Sequence, residues 1–172
     1  MNIRKATIDD IDILIKLDIQ CFNTSAYDYN TWVYFFSICK IYVCTLSDKT
    51  ITGVIVTSIV NDNSKIQMSI GEKSFYDYYK LNSFKVIVSI CVDEKYRKKG
   101  VGSLLLKHVI KKSNGYLVLS VRENHEQSIN FYLKNKFKLS KFININYYDN
   151  PQDNAVIMYM HLKQKKYKNT VF

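Results

Sequence analysis

The sequence predicts an α/β domain, and three observations carry that prediction. An apolar run over residues 86–92 feeds a loop with glycines at 100 and 102. A helical pattern follows it, with Val101, Leu104, Leu105, Val109 and Ile110 on one face. A β-rich run then covers residues 116–121, and residues 125–135 read as a second helix with Ile129, Tyr132 and Leu133 inward. Strand, glycine loop, helix, strand, helix is a βαβα unit, whose strands lie parallel and whose crossover is right-handed.

The remaining elements follow in order. Residues 2–6 read as a strand, and 9–21 and 28–38 as helices. Strands at 40–46 and 51–60 are joined by Ser47-Asp48-Lys49-Thr50, which has hairpin-turn chemistry. The helix at 101–112 ends before Ser113-Asn114-Gly115, a C-cap signal. Strands at 137–147 and 155–162 close the chain, the second with the alternation of a half-buried strand over 156–160. Residues 1–162 are expected to form a single domain, followed by a basic tail at 163–172.

Composition bounds the class. The chain has 172 residues, 47% of them hydrophobic, enough to bury one core. The apolar stretch from Trp32 to Leu46 is interrupted by Lys40 and too short to span a bilayer, and no secretory leader is expected. The four cysteines, at 21, 39, 44 and 91, lack paired metal spacing and sit among apolar residues. Free core thiols in a reducing, cytoplasmic or nuclear compartment are the expectation. His108, His125 and His161 are scattered, so no metal is expected. The net charge of +10 suits an anionic partner, although the Asn, Lys, Ile and Tyr bias of an A+T-rich coding sequence also inflates lysine. The basic run at 163–168 reads either as a solvated terminus or as a ribosome or nucleic-acid contact; no nucleic-acid module accompanies it.

The chemistry concentrates in Arg97-Lys98-Lys99-Gly100-Val101-Gly102-Ser103. Glycines let the backbone approach a ligand, the first N–H groups of a helix lack internal partners, and the helix dipole favours an anion there. Three cations add to this, so the expected ligand is a phosphate or pyrophosphate; a basic turn capping the helix is the plainer reading. The spacing is neither that of a P-loop nor that of the dinucleotide fingerprint. It resembles the acyl-CoA pyrophosphate loop of the GNAT acetyltransferases. Val121-Arg122, Ser128-Ile129, Phe131-Tyr132 and Asn135-Lys136-Phe137 resemble that superfamily's second cofactor segment. Asn146-Tyr147-Tyr148, residues 154–158, and the opening Asn2-Ile3-Arg4 with Asp9-Asp10 are similar to the protein N-terminal α-amino acetyltransferase branch, which includes the ribosomal-protein alanine acetyltransferases and Nat catalytic subunits.

The resemblance implies a GNAT fold, a mixed central sheet of about seven strands with flanking helices and with parallel strands four and five splayed. It implies acetyl-CoA as co-substrate, held by the main chain of Ile90, Cys91 and Val92, by the loop from Arg97 to Ser103, and by Asn124 or His125. Tyr132 matches the family's tyrosine that protonates the CoA sulfur; its plainer reading is an inner-face aromatic. Phe22 with Tyr27, and Tyr147 with Tyr148, match the loops that grip a peptide's first residues, though Tyr147 and Tyr148 can equally finish a strand. Three residues depart from the family's pattern, the first being His125, which occupies the family's cofactor-contacting Asn position with Asn124 one residue earlier. Ser120 stands where the branch places Glu or His as general base, which leaves it at most a water-positioning role. Lys136 replaces the glycine before Phe137, a change expected to alter only the turn. A further departure is length: residues 61–85 exceed the family's short connection, and read as either a surface insertion or a lid over the acceptor side.

The expected activity is acetyl transfer from acetyl-CoA to the α-amine of protein N-termini, by direct attack in a ternary complex, with a ribosome or auxiliary subunit as possible partner. A peptide α-amine, with pKa ~8, is roughly a tenth neutral at pH 7, whereas a lysine near ~10.4 needs a base. The alternatives are a small amine acceptor, such as a polyamine or aminoglycoside-like sugar, and a catalytically silent CoA-binding adaptor.

Overall fold

Residues 41–44, 53–56 and 86–92 are mostly apolar because both faces of their sheet are covered. In the computed structural model, which describes residues 1–149 and 151–163, the strands are β1 (Asn2–Lys5), β2 (Lys40–Thr45), β3 (Ile51–Val60), β4 (Phe84–Val92), β5 (Gly115–Arg122), β6 (Lys138–Asp149) and β7 (Gln152–Leu162). They form one seven-stranded sheet in the order β1-β2-β3-β4-β5-β7-β6. The helices are α1 (Ile11–Phe22), α2 (Tyr29–Ile38), α3 (Ile70–Tyr78), α4 (Val101–Lys111) and α5 (Glu126–Lys134). Successive residues of a strand face opposite sides. Thus Val54 and Val56 pack with α1 and α2, while Ile55 packs with α4.

All neighbouring strands pair antiparallel except β4 and β5. These two pair in parallel only at Lys85↔Leu117 and Val86↔Val118. Beyond those rungs β4 stays with β3 as far as Gly53↔Val92, and β5 stays with β7 as far as Arg122↔Ala155. Each strand keeps its outer neighbour, so the pair opens into a V whose wide end lies at the carboxyl ends of both.

The segment 61–85 is neither a surface insertion nor a lid. Its centre is α3, whose Phe75 is fully buried among the rings of Tyr79, Phe84, Tyr116, Phe142 and Tyr159. Burial of such a ring is worth about 2–3 kcal/mol, so α3 belongs to the core. It packs with Val60, Val86, Val118 and Ile157, and Val88 joins this cluster to that of α1 and α2. Helices α1, α2 and α3 therefore share one face of the sheet, and α4 and α5 cover the other.

The cysteine expectation is also corrected. Cys21, at the end of α1, and Cys91, on β4, form a disulfide, because α1 lies directly on the inner strands; Cys39 and Cys44 are free. The start of the chain is fastened by Arg4, whose guanidinium makes a bidentate pair with Asp10 at 2.7 and 2.8 Å and holds that carboxyl below its ordinary pKa. Of the basic run at 163–168, all but Lys163 lies outside the described residues.

Candidate active site

Two features of the glycine loop suit it to an anion. Gly100 has φ +86° and no heavy atom within 4 Å of where a Cβ would stand, so the backbone is bare toward solvent at that point. It caps α4, and Leu104 N–H donates to Gly100 O at 2.9 Å. The N–H groups of Val101, Gly102 and Ser103 thus have no carbonyl within the helix to reach. Arg97 turns back, its Nε donating to Val92 O at 3.1 Å, which ties the loop to the end of β4. Lys98 is exposed, and Lys99 lies 5.5 Å from the Tyr96 ring centroid. Val101 faces the core, so its contribution to an anion is its N–H alone.

The V between β4 and β5 holds a cleft of about 470 Å³. Ile87, Ser89 and Ile90 line it from β4, Ser120 and Arg122 from β5, and His125, Ser128 and Tyr132 from α5 and its N-terminus. Tyr132 packs with Phe137 and the α4 core, and burial followed by the neighbouring Tyr148 pushes its phenol well above the ordinary value. The phenol therefore keeps its proton at physiological pH. His125 Nδ1 lies 2.6 Å from Ser128 Oγ. Of the pair at 124 and 125, the cleft takes His125; Asn124 Nδ2 donates to Asp153 Oδ1 at 2.9 Å and fastens the loop to β7. Cys91 turns its side chain away from the cleft toward Leu17 and Cys21.

The mouth on the α1–α3 face is aromatic. Phe22 and Tyr27 come from the α1–α2 connection, and Tyr148 from β6. Tyr27 is held by its own backbone: its N–H donates to Asp18 Oδ2 at 2.7 Å. Asp18 is fully buried, and desolvation outweighs that hydrogen bond, lifting its carboxyl to about 6. Burial likewise pushes the Tyr27 phenol up to about 12. Tyr147 and Tyr148 meet edge to face at 5.0 Å, and the Arg122 guanidinium sits 4.1 Å over the Tyr148 ring. Their orientation comes from a break in the β6 ladder, where Asn146 adopts φ +50° and its N–H donates to Asn154 Oδ1 at 2.9 Å.

One residue of this region escaped the sequence reading. Glu72, in the first turn of α3, is 7% exposed and accepts a hydrogen bond from Ser120 Oγ at 3.2 Å. Its other oxygen accepts from Ser69 N–H at 2.9 Å, closing a capping box with the Ser69 hydroxyl. The signal was present in Ser69-Ile70-Gly71-Glu72, a capping-box spacing inside a segment otherwise without periodicity. Asn144 on β6 pins the same turn, accepting from Gly71 N–H and donating to Ser69 Oγ.

Residues 11–137 match the model of the acetyltransferase (GNAT) family, close to three quarters of the chain. The chain belongs to the GNAT family. Its sheet order, the splayed β4–β5 pair and the glycine loop are that family's fold, and the family's members are acetyltransferases. Among solved structures it is similar to the ribosomal-protein-S18-alanine N-acetyltransferase of Escherichia coli, at 19% identity and TM-score 0.72 over 99% of both chains. It is similar to Chaetomium thermophilum Naa20, solved with a bisubstrate analogue, at 16% identity and TM-score 0.74 over 100% of this chain and 92% of that one. It is also similar to Arabidopsis thaliana NAA60 in complex with acetyl-CoA, at 16% identity and TM-score 0.74 over 92% of this chain and 97% of that one. No curated protein matches the chain by sequence.

The GNAT cleft therefore brings together Phe22, Tyr27, Ile90, Ser120, His125, Tyr132 and Tyr148, seven of the residues singled out from sequence. The loop residues stand at the wide end of the V, and Tyr147 adjoins Tyr148 at the mouth. A second hollow of about 560 Å³, near Lys40, Lys85 and Lys112 at the other end of β4 and β5, contains none of them. Among the described residues there is no cluster of His, Cys, Asp or Glu fit for a metal, and no helix long and apolar enough to cross a membrane.

Proposed function

We propose that this GNAT chain transfers an acetyl group from acetyl-CoA to the α-amine of a protein N-terminus. The observation that carries the reading is the placement of two unlike half-sites on opposite faces of one V-shaped gap. On the α4–α5 face stand the cationic glycine loop and Tyr132. On the α1–α3 face stands the tyrosine mouth. A thioester arm entering the gap from the first side and an amine entering from the second meet between β4 and β5, which suits direct attack without a covalent enzyme intermediate.

Each half-site fits its ligand. The bare backbone at Gly100 and the three N–H groups at 101–103 accept a pyrophosphate, with Lys98 and Lys99 neutralising charge. The main chain of β4 from Ile90 to Val92 lies along the gap where β5 no longer covers it; an N–H there supports the carbonyl oxygen as it gains charge. His125 contacts the pantetheine arm. Tyr132, kept protonated by burial, gives its proton to the leaving sulfur. On the other side Tyr27, Tyr147 and Tyr148 offer neutral hydroxyls to a peptide backbone, and Phe22 packs against its first side chain.

Acceptor chemistry favours an α-amine, because its pKa of ~8 leaves roughly a tenth of it ready to attack at pH 7. The test is CoA-thiol release over matched acceptors: peptides with free α-amines, the same peptides N-blocked but carrying lysine, and polyamines. Release with free α-amines alone is expected. Release with polyamines alone assigns a small-molecule acceptor instead, and bound acetyl-CoA without release to any amine assigns a silent adaptor.

A further inference from the structure

We propose that Glu72 is the proton sink of the transfer, acting through the Ser120 hydroxyl. The inference rests on the acetyl-transfer reading above and names the base that β5 lacks. Ser120 lines the cleft, and a serine hydroxyl does not take a proton at pH 7 unless it passes its own onward. Its Oγ–H already points that proton at Glu72 Oε1, 3.2 Å away. Glu72 is buried on the α1–α3 face, the side from which the amine enters, and comes from the helix between β3 and β4. Ser69, Gly71 and Asn144 fix that turn against β6, so the carboxylate is held in place. A Cβ at Gly71 would stand 2.8 Å from Asn144 Oδ1 and 3.0 Å from Ile143 O, so α3 approaches β6 as closely as a glycine permits.

The step balances as follows. The amine nitrogen forms a bond to the acetyl carbonyl carbon, and the carbon–sulfur bond breaks. The surplus proton on nitrogen moves to Ser120 Oγ as the Ser120 proton moves to Glu72 Oε1, leaving a carboxylic acid that later releases its proton to solvent. Tyr132 protonates the sulfur from the opposite face, and its phenolate takes a proton back from solvent as CoA leaves. Glu72 touches no substrate and is a positioning and relay residue; Ser120 is the group in contact.

The test is Glu72→Gln. Glutamine also completes a capping box, so the helix cap survives while the proton acceptor is lost. The expected result at pH 7 is a fall in kcat of about 100-fold, the low end for loss of general-base help, with acetyl-CoA affinity unchanged. The deficit narrows as pH rises toward 9.5, where hydroxide removes the proton unaided. Ser120→Ala, which leaves the capping box intact, shows the same deficit and the same narrowing, and decides the matter should Glu72→Gln fail to fold. A kcat within twofold of wild type, or a deficit constant across pH, overturns the relay. The assay uses whichever amine the wild-type chain acetylates, so a small-amine acceptor defeats the N-terminal reading without touching this one; a wild-type chain that acetylates no amine overturns both.

Discussion

Replacing Gly100 by leucine separates folding from cofactor binding. At φ +86° a residue with a Cβ is strained by about 1–2 kcal/mol, and no steric clash adds to this, because nothing lies within 4 Å of the new atom. For a chain of this length that strain lowers Tm by about 2–8 °C. The new side chain fills the space that a pyrophosphate needs against the N–H groups of residues 101–103. Losing two charge-assisted hydrogen bonds at about 1.5 kcal/mol each weakens binding by about 3 kcal/mol, or roughly 150-fold. Gly102→Ala is the control. Its Cβ meets Phe131 Cζ at 3.3 Å, a packing cost that the helix preference for alanine over glycine, about 1 kcal/mol, offsets. Thermal unfolding with and without CoA, together with calorimetric titration, reads both variants. A folded Gly100→Leu chain that binds CoA as wild type does refutes the loop assignment; an unfolded one refutes the open-space argument.

Three other predictions follow from particular residues. Tyr132→Phe removes the proton donor to sulfur and lowers kcat at least tenfold while the acetyl-CoA Kd changes less than twofold; equal loss in both would make Tyr132 a packing residue. Lys136 holds φ +71°, a backbone conformation that favours glycine, so Lys136→Gly raises stability by about 0.5–1 kcal/mol in urea unfolding, and a loss would place the strain elsewhere. Asp18 has a folded pKa of about 6 against an ordinary 3.8, so its stabilising contribution is complete below pH 4 and is lost as pH rises through 6. That loss is about 3 kcal/mol at most, and Asp18→Asn flattens the pH–stability curve between 4 and 7; an unchanged curve means the carboxyl is solvated.

What was legible in the sequence was what depends on local pattern. The βαβα unit was readable because apolar periodicity switches at Gly100 and again at Gly115, and β3 was readable over its full span of 51–60 because ten consecutive residues suit a strand covered on both faces. Gly115 itself stands past the helix end, at φ +68° as β5 begins, so its backbone serves the strand entry as much as the cap. Long-range pairings were not legible. The contact between Glu72 and Ser120 joins residues 48 positions apart, and only the placement of α3 against β6 creates it. The capping box announced a helix start but not the face that helix would meet. The Cys21–Cys91 bond, with a separation of 70, was hidden for the same reason: nothing in the spacing says that α1 lies across β4. Tyr147 and Tyr148 were flagged by resemblance, but their aim depends on the positive φ of Asn146 and its tie to Asn154, which alternation alone does not foresee.

The most direct trial of the account uses one peptide bearing both a free α-amine and an internal lysine, incubated with the protein and acetyl-CoA. Fragmentation mass spectrometry then locates the acetyl group. The account predicts a single acetyl group on the α-nitrogen, formed by wild type and strongly reduced by Glu72→Gln. Acetyl on the lysine side chain instead would contradict it.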